Sequence, residues 1–120
     1  GTGENALIAG FTIGGTTART VLIRAAGPAL TSFGVTGVLT DPRLTLFRGT
    51  APIAESDNWQ SSAEIVALFS ATGAFPFNAR SRDALLLVTL TPGAYTAVIT
   101  GVGTGAAATG VALVEVYALP

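Results

Sequence analysis

The side chains able to do chemistry are few and scattered. Glu55, Asp57 and Asn58 lie in one short stretch and are followed at once by Trp59. An oxygen-rich run of this kind begins a calcium site when other oxygens converge on it, since Ca²⁺ takes about six to eight ligands. Three donors from one loop do not make a site. Asx side chains more commonly close turns or cap a following helix, and no bound metal or other cofactor is expected. Trp59 offers an amphipathic ring on which a sugar face could stack, or an anchor that pins a loop to the body of the fold. Glu64, Asp83 and Glu115 are carboxylates elsewhere in the chain. Acid–base work needs two carboxylates in one cleft with one pKa raised, and nothing in the sequence brings these three together.

Two charges interrupt otherwise apolar runs, Arg24 in TVLIRA and Glu115 in VALVEVY. A buried charge left unpaired costs several kcal/mol, so Arg24 and Glu115 are expected to be partners on neighbouring strands or facing sheets. Arg80, Arg82 and Asp83 stand ready to meet the carboxylates of the 55–57 loop in the same way. Gly101-Val-Gly-Thr-Gly105 follows an apolar run as a dinucleotide fingerprint would. No helix pattern follows it, so it reads as a hairpin loop.

What is missing narrows the options further. The chain has no Cys, His or Met, which removes thiolate catalysis, disulfides, zinc sites of the usual ligand set and histidine-based hydrolase triads. Only 11% of residues are charged, the net charge is −1, and all six positive residues are Arg. Such a balance gives no footprint for nucleic acid. It also leaves the chain without Lys, the residue most often used to keep sheet edges apart. Pro92, Gly93 and many Thr residues break the uncharged run from Ala84 to Val114, so no membrane-spanning helix is expected.

The elements that must position these residues are mostly strands. At 120 residues the chain reads as one domain. Starting at Gly1 rather than Met, it is taken as a mature, processed chain or an excised domain. Asn5–Ile13 alternates Leu7, Ala9, Phe11 and Ile13 against Ile8, Gly10 and Thr12, with Gly14-Gly15 closing it. Thr20–Ala25 and Leu44–Arg48 follow as strands, Ile53–Glu55 pairs back on the latter, and residues 28–42 form a loop with a short helical turn. Ser61-Ser62-Ala63-Glu64 has the form of a capping box, starting a helix over 62–71 that Gly73 ends. From Asp83 onward, Ala84–Leu90, Ala94–Gly101 and Val111–Ala118 read as three consecutive antiparallel strands, the first turn made by Pro92-Gly93. Six to eight short strands with one helix predict an all-β fold, an antiparallel, jelly-roll-like β-sandwich.

Several segments also carry a resemblance. RTVLIRAAGPAL (19–30), DPRLTLF (41–47), ESDNW (55–59), SRDALLLVTLTPGAYTAVITGV (81–102) and TGVALVEVY (109–117) resemble a repeat-type domain of secreted proteins from Gram-negative and environmental bacteria. Leu44–Tyr117 is also similar, more loosely, to the bacterial pre-peptidase C-terminal domain, a jelly-roll sandwich appended to secreted enzymes. The resemblance implies secretion, a β-sandwich and a role without catalysis.

The sequence therefore leads to two expectations. One is a secreted, self-assembling structural protein of a fibre or surface layer. In it residues 1–15 act as an assembly strand and hinge through Leu7, Ile8, Phe11 and Ile13, and the partner is a copy of itself. The other is an accessory module of a secreted enzyme, with polysaccharide as its partner through Trp59 and the nearby loop.

Overall fold

The computed structural model describes residues 7–57, 59, 62–78, 81–102 and 110–119. Among them lie strands β1 (Leu7–Ile13), β2 (Arg19–Ala26), β3 (Pro42–Arg48), β4 (Ala51–Ser56), β5 (Ala84–Leu90), β6 (Gly93–Gly101) and β7 (Leu113–Ala118). A 3₁₀ helix spans Pro28–Phe33 and one α-helix, α1, spans Ala63–Thr72. The strands form two antiparallel sheets, β1-β6-β3-β4 and β5-β2-β7. The fold is an all-β sandwich with a single short α-helix.

The pairs are nested. β3 pairs with β4, β2 with β5 and β1 with β6, as if one long hairpin had been rolled up. Only β3 and β4 are consecutive strands that stay in one sheet; every other connection between strands passes to the opposite sheet. This corrects the expected run of three mutually paired strands after Asp83. Pro92-Gly93 carries the chain across the sandwich instead of closing a hairpin, and Val111 forms an isolated bridge with Val38 ahead of β7.

Burial explains which strand joins which sheet. In β6, Tyr95, Ala97 and Ile99 are buried and their neighbours in sequence are not, as suits a sheet with one solvated face. In β2, every residue from Val21 to Ala26 is buried, and β5 is buried over Ala84–Leu86. The three-stranded sheet is covered on both sides. Val21, Ile23, Ala25, Leu86 and Leu90 meet Leu44, Leu46, Tyr95 and Ile99 in the core between the sheets. Leu22, Ala26 and Leu85 face the other way into a second core built by Leu30, Trp59, Phe69 and Phe77.

α1 closes that second core. Its cap is Ser62, whose Oγ accepts from the Ile65 amide at 3.2 Å. The cap thus falls one residue later than the capping box predicts, and Glu64 sits in the first turn, where a carboxylate suits the helix dipole. Gly73 ends the helix with φ 79°, a left-handed conformation that favours glycine.

Candidate functional site

The 55–59 loop has no single purpose. Glu55 is exposed, its carboxylate 3.7 Å from the Arg43 guanidinium. Asp57 lies beside Asp41, the residue just before β3. Asn58 lies outside the described residues. Trp59 is only 5% exposed. Its Nε1 donates to the Asn78 carbonyl at 3.0 Å, and its ring packs on Phe69 and Phe77 with centroids 5.3 and 5.7 Å away. A ring held in this way is a core anchor, and of the two roles open to it in the sequence the sugar platform finds no exposed face. The signal in the sequence was the cluster of Phe69, Phe75 and Phe77 after the helix start.

Arg24 and Glu115 stand opposite each other in the register of β2 and β7. The Arg24 Nε is 3.4 Å from Glu115 Oε1, with Arg24 fully buried. Its guanidinium lies over the rings of Phe69, Phe75 and Phe77, 3.9 Å from the last centroid. Burial lowers the Arg24 pKa, while Glu115, Tyr117 and Asp83 oppose that shift. Tyr117 donates to Glu115 Oε2, and burial followed by that bond raises the phenol pKa. The pair is thereby tied into the second core, where it holds β7 to β2.

Asp83 is also fully buried. Its Oδ1 accepts from the Gly27 and Ala29 amides at 2.7 and 3.1 Å, and its Oδ2 from Ser81. It therefore fixes the loop after β2 and is not a partner of the 55–57 loop. Arg82 turns to Asp41 at 3.9 Å, and Arg80 lies outside the described residues. Burial first, and then Asp57 beside it, raise the Asp41 carboxyl pKa, with Arg82 pulling the other way. No local pattern announces this pairing, because residues 41 and 57 meet only through the register of β3 and β4. Among the described residues no three of His, Cys, Asp and Glu come together.

Two strand edges remain open among the described residues. β1 lies at the border of its sheet, paired only with β6, and its Leu7 and Ile8 are 38% and 64% exposed. The fold brings Ile13 and Phe11 of this strand into or against the core and leaves Leu7 and Ile8 outside. β7 lies at a border of the other sheet. Beside it runs an open groove of about 600 Å³, walled by Leu68, Ala71 and Thr72 of α1 and by Val116–Leu119. Comparison with known proteins found no matching family model, curated protein or solved structure. No helix among the described residues is long and apolar enough to cross a membrane.

Proposed function

We propose that this chain is a non-catalytic structural subunit that assembles with copies of itself through its strand edges. The observation that carries the reading is β1. It is a seven-residue border strand without a charged residue or Pro, and it leaves Leu7 and Ile8 open to solvent. A border strand of this kind offers unpaired amides and carbonyls to any neighbour, and soluble monomers ordinarily block it with charge, Pro or a bulge. Main-chain pairing onto such an edge is a common mode of recognition. The sparse charge and positive mean hydropathy support a surface that is largely covered in use. The resemblance to domains of secreted bacterial proteins supports a place outside the cell, in a fibre or surface layer.

The test is removal of residues 1–13, together with the milder Ile8→Lys, read by sedimentation velocity, electron microscopy and circular dichroism. Variants that remain β-folded but no longer assemble support the reading. Folded variants that assemble like the parent, or a parent that stays monomeric at every concentration, overturn it.

A further inference from the structure

Among the described residues, the nested pairs leave one strand without its counterpart. Working outward from β3–β4 through β2–β5 to β1–β6, the next pair would join β7 to a strand preceding β1. β7 instead has β2 on one side and, among the described residues, no strand on the other. Leu119 donates to the Thr20 carbonyl. In the alternation of an antiparallel ladder, Leu113, Glu115 and Tyr117 then turn their main-chain groups to β2, and Val114, Val116 and Ala118 turn theirs outward.

The four sheet borders are not equivalent. β4 carries Pro52 and a register irregularity against β3, two devices that discourage pairing. The start of β5 is capped, Ser56 Oγ accepting from the Leu85 amide and the Asp83 carbonyl accepting from Trp59. β1 and β7 show neither device. The groove beside β7 is mostly apolar on its helix side, through Leu68 and Ala71, and among the described residues no charged one lines it. Glu115, the one charge on β7, is turned to Arg24 and Tyr117. A strand seated there must therefore be uncharged and suited to cover on both faces. β1, with Leu7 on one face and Ile8 on the other, is uncharged and exposed on both.

We infer that the outer edge of β7 and its groove receive β1 of a second copy. This rests on the proposed self-assembly and names the two surfaces that meet. Since the contact joins two different surfaces, it does not close on itself as a two-fold contact does, and it propagates into a filament or a ring.

The absence of cysteine makes the test direct. Ile8→Cys and Ala118→Cys each place a single thiol at an exposed border position, and a short bis-maleimide is applied to each variant alone and to their mixture. Cross-linked dimer is expected to be several-fold more abundant in the mixture, and the double variant should give a ladder of multimers. Ala118→Lys should abolish assembly without moving the unfolding midpoint. If either single variant cross-links to itself as readily as the mixture does, the β1-to-β7 contact is wrong. Assembled material that shows no preference for the mixture overturns the contact and leaves the functional reading standing. A parent chain that never assembles removes both.

Discussion

The Arg24 guanidinium lies 3.4 Å from Glu115 and 3.9 Å from the centre of the Phe77 ring. One buried charge is thus held by a carboxylate on the next strand and by an aromatic floor. None of the Arg24 nitrogens makes an aligned hydrogen bond among the described residues, so the pair depends on charge and cation–π attraction. Removing one partner of a buried pair is far more damaging than replacing both. Glu115→Gln should destabilise the fold by about 3 kcal/mol. The double change Arg24→Met, Glu115→Leu should recover most of that loss. Urea unfolding of the three variants checks this; equal losses for single and double changes would contradict it.

Trp59→Ala should lower stability by about 3–5 kcal/mol, the usual range for truncating a large buried aromatic side chain. The ring joins Phe69 and Phe77, and its N–H is satisfied only through Asn78 among the described residues. Thermal unfolding provides the measurement. A loss below about 1 kcal/mol would show that the second core does not depend on this ring.

Gly27 is required for lack of space. A Cβ there would come within 2.1 Å of the Leu39 carbonyl oxygen. Gly27→Ala should therefore cost about 2 kcal/mol or more, as forced overpacking does. Gly14→Ala, with open space around its Cβ, should stay within about 0.5 kcal/mol of the parent. Similar midpoints for both variants would refute the close approach.

The Asp41 carboxyl gives stability a pH dependence of unusual sign. Its folded-state pKa is raised above the ordinary 3.8 by burial and by Asp57. The protonated group is thus favoured by folding. That contribution is fully present below the unfolded value and is lost as pH rises through the folded one. Asp41→Asn, neutral throughout, should lose less stability than the parent as pH rises above the ordinary 3.8. Parallel curves for the two proteins would exclude the effect.

The strands and their approximate limits were legible in the sequence because alternation and Gly/Pro punctuation are local signals. The partner of each strand was not. Ala84–Leu90 and Gly93–Gly101 look like a hairpin through Thr-Pro-Gly, yet burial on both faces sends one to the three-stranded sheet. The isolation of Arg24 and Glu115 in apolar runs pointed to their pairing. The oxygen cluster at 55–58 pointed nowhere useful, since Glu55 and Asp57 turn to different neighbours. Asp83 stands beside two arginines and from sequence is expected to meet the 55–57 loop; its burial depends on the return of the chain at Gly27, which no local pattern announces.

The nested order of pairs also sets a timetable for a chain made from its N-terminus. The β3–β4 hairpin can close as soon as its residues emerge, but β2 waits for β5, and β1 waits for β6 near the end of the chain. Until then two strands that end up largely buried or at a sheet border, RTVLIRAA and LIAGFTI, are exposed together. Contacts this distant along the chain form slowly. The nascent protein therefore carries its greatest aggregation hazard for most of its synthesis, and a chaperone or rapid export is most useful before residue 93 emerges.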